Sequence, residues 1–240
     1  MNRARLVVLI CLLAPAAHVV QGQQRSSVSD LLRQFGSEKE FWRQFEVAQA
    51  IAATGDPSVL PGLEPWLTHE DRRQRGNAAF IFARLGDPRG FDTIVTILGD
   101  YSSKRTVWKI SSAGGPSVTG QIAEDRYYAA HLLGDLKDPR AIPILVPLLK
   151  DSAVQYIVPW SLGKVGDRSA IPPLIGLTSD PDPNMRVLAI YALVDLKASE
   201  ALPRLHELLG DDTKSNFGKQ ESVAEAARAA IAKLQPATAR

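Results

Sequence analysis

Leu136-Lys137-Asp138-Pro139-Arg140-Ala141-Ile142-Pro143 is the stretch that decides the fold. Its Asp-Pro pair ends one apolar segment and begins another, because proline's fixed φ and missing N–H suit the first turn of a helix. The same turn recurs as Thr54-Gly55-Asp56-Pro57, Leu85-Gly86-Asp87-Pro88, Val165-Gly166-Asp167-Arg168 and Leu196-Lys197-Ala198-Ser199. The third residues stand at 56, 87, 138, 167 and 198, so the intervals are 31, 51, 29 and 31. A period near thirty with one long interval is a repeat carrying an insertion of about 20 residues.

Working backwards from each turn, the positions nine, six, five and two residues earlier are apolar or small. They hold Ala78, Ile81, Phe82, Leu85; Ala129, Leu132, Leu133, Leu136; Val158, Ser161, Leu162, Val165; and Ala189, Ala192, Leu193, Leu196. That spacing is one stripe of a helix. Val47 to Thr54 and Ala227 to Leu234 repeat it at the two ends, with Pro236 in the last turn slot, giving six first helices. Working forwards, the positions four, seven and ten residues after the turn give a second stripe: Leu60, Leu63, Trp66; Phe91, Ile94, Ile97; Ile142, Leu145, Leu148; Ile171, Leu174, Leu177; and Leu202, Leu205, Leu208. Three past the turn, Gly90, Ala141, Ala170 and Ala201 let neighbouring helices approach closely. A hairpin of this size cannot bury two stripes alone, so successive hairpins stack into one array.

Gly86-Asp87-Pro88-Arg89 and Leu136 to Pro143 resemble the signature of HEAT repeats, specifically the short type also found in phycobilisome-lyase-like proteins. The resemblance covers about 41–235 and implies an all-α fold, an α-solenoid of about six HEAT-like helical hairpins. It implies a concave face, lined by second helices, that binds another protein. A minority of such relatives resemble lyases acting on bilin–protein bonds. The chain departs from the pattern at Pro159, at Ala198-Ser199 and in the insertion.

Residues 1–22 read as an export signal: two arginines, then Leu6 to Ala17 without charge, then Val20-Gln21-Gly22 before the expected cleavage. The exported chain is expected in the periplasm or the medium, with no stable membrane span after signal removal. Lys+Arg number 28 and Asp+Glu 26. Without Arg3 and Arg5 the balance is zero, which argues against a nucleic-acid binder. Cys11, the one cysteine, falls inside the signal. Residues 23–40 are expected to form a capping helix segment, joined in covering the stack by Trp42 of Phe41 to Phe45, and 41–240 to form the array, with the insertion at 101–124.

No cofactor, catalytic residue or metal ligand is assigned. His69, His131 and His206 share no i,i+3 or i,i+4 relation and read as solvated or capping histidines. The recurrent Asp56, Asp87, Asp138 and Asp167 read as helix caps, and so do Asp151 and Asp182, while Thr68 followed three residues on by Asp71 reads as a weaker capping box. Arg75, Arg126 and Arg186 share one column and are expected to pair with acids of adjacent turns, at little gain per exposed pair.

The insertion is the segment that stacking does not explain. Val107 to Ile110 alternate as in a strand and Ala113-Gly114-Gly115-Pro116 would turn a short β-hairpin towards Val118 to Ile122; the other reading is a loop without one. The expectation is an exported, non-catalytic scaffold that is not an enzyme and binds another protein. Its partner-binding residues are Lys104, Arg105, Trp108 and Lys109 in the insertion, and Arg204, His206 and Glu207 on a second helix. The alternative is a lyase-like enzyme or accessory factor using the concave face.

Overall fold

The structure is a computed structural model that describes residues 27–102, 118–216 and 220–235. The export signal at 1–22, the partner-binding residues Lys104, Arg105, Trp108 and Lys109, the candidate turn at 113–116 and Pro236 lie outside the described residues.

Six first helices alternate with five second segments. The helices are α1 (Val28–Ser37), α2 (Phe41–Ala53), α3 (Leu60–Leu63), α4 (Arg72–Arg84), α5 (Pro88–Leu98), α6 (Val118–Leu136), α7 (Ile142–Leu145), α8 (Val158–Val165), α9 (Ile171–Leu177), α10 (Pro183–Asp195), α11 (Leu202–Glu207) and α12 (Val223–Leu234). Helices α2, α4, α6, α8, α10 and α12 are the first helices. Among the described residues the nearest thing to a strand is an isolated bridge between Lys214 and Ser222. The fold is an all-α solenoid, as the two stripes require.

The turn chemistry holds throughout. The carboxylates of Asp56, Asp87, Asp138 and Asp167 accept from the backbone N–H two residues on, at 2.8–2.9 Å. The residue before each cap is left-handed: Gly55, Gly86 and Gly166, but also Lys137 at φ 57° and Lys197 at φ 52°. Asp71 and Asp182 cap α4 and α10, and Ala198 provides no side-chain cap.

Prolines deep in a second segment tighten its winding. Where only the first turn holds proline, α5 runs as a continuous α-helix and buries Ile97. Pro65 and Pro147 sit further in, and there the chain tightens into 3₁₀ turns over Glu64–Thr68 and Val146–Lys150. The tighter winding shifts the phase of the stripe: Leu149 is buried in place of Leu148, and Trp66 stays half-buried against Phe35 of α1. Pro159 shortens α8, which starts at Val158 after a run of turns from 152 to 157.

Two sequence expectations are corrected. Val118 to Ile122 begin α6 rather than a hairpin strand, so the first helix of the third unit reaches back into the 101–124 insertion. The arginine column is not exposed. Arg126 is 2% exposed, and donates from Nε to the Leu98 carbonyl (2.7 Å) and from Nη2 to Asp151 and the Tyr101 hydroxyl (both 2.7 Å). Arg186 pairs with Asp211 at 3.0 Å, and Arg75 donates to the His69 carbonyl. Outside that column, Arg72, also buried, bonds Asp100 and the Ser102 carbonyl, drawing the start of the insertion onto α4.

Candidate functional site

Seven residues before successive turns, on the first helices, stand Phe80, His131, Trp160 and Tyr191. Three before the same turns, and again on α12, stand Arg84, Asp135, Lys164, Asp195 and Lys233. The array therefore sets a row of rings beside a row of alternating charge. Seven and three residues before each turn, the two positions are four residues apart, about one helical turn, and lie on the same side of each helix.

The rings meet. His131 stacks on Trp160 with centroids 4.5 Å apart and planes 20° from parallel. Trp42, at the start of α2, lies edge-on to Tyr128 (5.0 Å) and His131 (5.5 Å), and Phe41 and Phe45 complete the floor. Beneath them the Tyr128 hydroxyl donates to Asn77 Oδ1, and Asn77 Nδ2 donates to the Phe41 carbonyl (2.8 Å) and to Gln44 Oε1 (3.0 Å). A buried polar network of this kind fixes ring positions that packing alone would leave loose. Trp42 itself is 51% exposed.

Helices α2 and α6 belong to the first and third units, and α4 stands between them in the array. Their large rings nevertheless touch: Phe41, Trp42 and Phe45 of α2 meet Tyr128 and His131 of α6.

Burial, and then the charge on Lys164, hold the His131 imidazole down at about 4, so it is neutral near pH 7. Its Nδ1 lies 3.5 Å from Asp135 and has no hydrogen-bond partner. Burial pushes the Asp135 carboxyl up, against the pull of Lys164, Lys137 and Arg84. The two shifts favour the uncharged forms of both groups, so the short separation is not an ion pair at neutral pH. Lys164 Nζ sits 5.3 Å from the Trp160 ring centroid, within cation–π range. Beside it Lys137, Gly163, Lys164, Val165, Gly166 and Asp195 line an open recess of about 320 Å³.

The partner-binding residues expected on the second helix lie elsewhere. Arg204 is engaged within the array, donating to Thr178 Oγ1 (2.9 Å), Ser179 Oγ (3.0 Å) and Glu207 (2.7 Å), while His206 is exposed. Trp42 belongs to the ring floor rather than to the terminal cap. Of the histidines, His69 acts in a helix lead-in, its Nδ1 accepting from the Asp71 N–H, but His131 is neither solvated nor a cap. Lining up the columns seven and three before the turn would have exposed this site, since the apolar stripes pass between them. Among the described residues no three His, Asp or Glu side chains converge as metal ligands, and no helix is long and apolar enough to cross a membrane.

Comparison with known proteins gives a family and a set of relatives. The HEAT repeats family matches residues 121–174 and 150–226. The chain is 30% identical over 146 residues to the bilin biosynthesis protein PecE of Nostoc sp. (strain PCC 7120), covering 60% of this chain and 53% of that one. It is 36% identical over 96 residues to the phycocyanobilin lyase subunit alpha of Synechococcus elongatus, covering 35% of each. A designed armadillo repeat protein superposes with a TM-score of 0.44 at 16% identity, over 87% of this chain and 100% of that one. The chain thus spans about half, or less, of the curated relatives it matches. These relatives overturn the expectation of a non-catalytic scaffold that is not an enzyme, and favour the lyase-like alternative. The chain is a HEAT-repeat protein related to the phycobilin lyase subunits.

Proposed function

We propose that the chain is a lyase-type subunit that holds a bilin on its first-helix face while the bond between bilin and a phycobiliprotein is made or broken. The observation that carries the reading is Trp42, an indole left half exposed on a bed of buried rings. A bilin is an open-chain conjugated tetrapyrrole, and a flat π-system covers such a platform with aromatic contacts of about 0.5–1.5 kcal/mol per ring pair. Tyr128 and Trp160 extend the floor, Asn77 and Gln44 hold it rigid, and neutral His131 adds a ring without adding charge. Cys11 is the only cysteine in the chain, so the reading assigns the bond-forming thiol to the acceptor protein.

Titration with phycocyanobilin, followed by bilin absorbance and by quenching of tryptophan emission, tests this. Trp42→Ala should weaken binding about tenfold or more, equivalent to ~1.4 kcal/mol, with little change in melting temperature because the indole is half exposed. Absence of any bilin binding, or equal binding by the variant, would overturn the proposal.

A further inference from the structure

The recess beside Trp160 is lined by two ammonium groups, Lys137 at the end of α6 and Lys164 on α8. Neither has an acid within 4.0 Å among the described residues, although Asp135 and Asp195 stand on either side of Lys164 in the charged row. Burial pushes both of those carboxyls up against the pull of Lys164 on each, and Asp195 lines the recess with the two lysines. Lys137 holds a left-handed conformation, φ 57°, at a turn position where three of the five units use glycine. A non-glycine residue is strained there, and the strain is kept at a position whose side chain opens onto the recess. Lys197 has the same backbone conformation without lining the recess, so the argument rests on the convergence of the two lysines and not on strain alone.

Resting on the bilin reading above, we propose that Lys137 and Lys164 form a carboxylate clamp that pairs with the two propionates of the tetrapyrrole while its conjugated face lies against the exposed Trp42. The clamp makes the site selective for tetrapyrroles in the free-acid form. Lysine suits the task because it delivers a compact point charge from a flexible stem, and the cation held over Trp160 lies at the edge of the ring floor.

The test compares phycocyanobilin with its dimethyl ester, a ligand of nearly the same shape that lacks both charges. Each is titrated into the full chain and into Lys137→Gly and Lys164→Gln. Lys137→Gly removes the ammonium while relieving the left-handed strain, so a folding defect cannot account for its effect. Wild type should bind the free acid about tenfold or more tightly than the ester. Each variant should lose most of that preference while binding the ester as wild type does, and added salt should weaken the acid selectively. Equal binding of acid and ester by wild type, or an undiminished preference in both variants, would overturn the clamp and leave the bilin reading standing. Binding of neither ligand would overturn both.

Discussion

His131 shows what a single position gains from its unit's neighbours. A histidine in water titrates near 6.5, and in this floor of rings it titrates at about 4. Between those values the unfolded chain binds more protons than the folded one, so folding stability rises with pH across that window. His131 therefore contributes stability that is fully present above about pH 6.5 and is lost as the pH falls towards 4, on the order of 3 kcal/mol. Asp135 is shifted the opposite way and offsets part of the loss at the acid end. Denaturant melts of His131→Phe should lack most of the pH 4–6.5 slope that wild type shows; parallel slopes would place the imidazole in water. Little of this was legible in the sequence. Histidine spacing reveals metal sites made within one helix, whereas His131 meets Trp42 and Trp160 through tertiary packing of α2, α6 and α8.

The helical segments were far more legible, because capping and stripe periodicity act over neighbouring residues. The turn aspartates, the small residue three past the turn and the proline positions all follow from local chemistry. Gly90 is the sharpest case. A β-carbon there would stand 2.2 Å from the Ala83 nitrogen and 2.3 Å from the Ala79 carbonyl, so α4 and α5 touch backbone to backbone. Gly90→Ala must push the hairpin apart and should destabilise by about 2 kcal/mol or more in chemical denaturation. A variant as stable as wild type would show that the pair separates at no cost. Sequence reading failed where an effect accumulates along a segment. The 3₁₀ tightening after Pro65 and Pro147 moves burial by one residue, which a fixed ten-residue offset cannot anticipate. The helical start of α6 was likewise masked by Gly120 and by a resemblance of Val118 to Ile122 to a strand.

At the scale of the whole array, stability passes from unit to unit through buried charge as well as through apolar stripes. Arg126 on α6 reaches back to the Leu98 carbonyl of the second unit and forward to Asp151, which leads into the fourth. Arg72 ties α4 to Asp100 in the same manner. There burial works to raise the carboxyl, but bonds from Ser102 and Arg72 outweigh it and hold Asp100 at about 2. Asp151→Ala would leave Arg126 buried without its acid and should cost about 3 kcal/mol, read as a lower denaturant midpoint for the full chain. A shift below about 0.5 kcal/mol would mean that water replaces the carboxylate. The repeat number and the order of helices were written in the sequence, whereas the meeting of α2 and α6 rings across α4 was not, since that depends on tertiary packing.

The ring contacts between α2 and α6 bear on the mechanics of the molecule. A solenoid whose units touch only their immediate neighbours behaves as a chain of independent links, and it can fray one link at a time. Here the rings of α2 grip those of α6 over the back of α4. Phe41 and Phe45, the more buried of these rings, give the first and third units a direct tie, so the amino-terminal end should open more cooperatively than nearest-neighbour stacking alone would give.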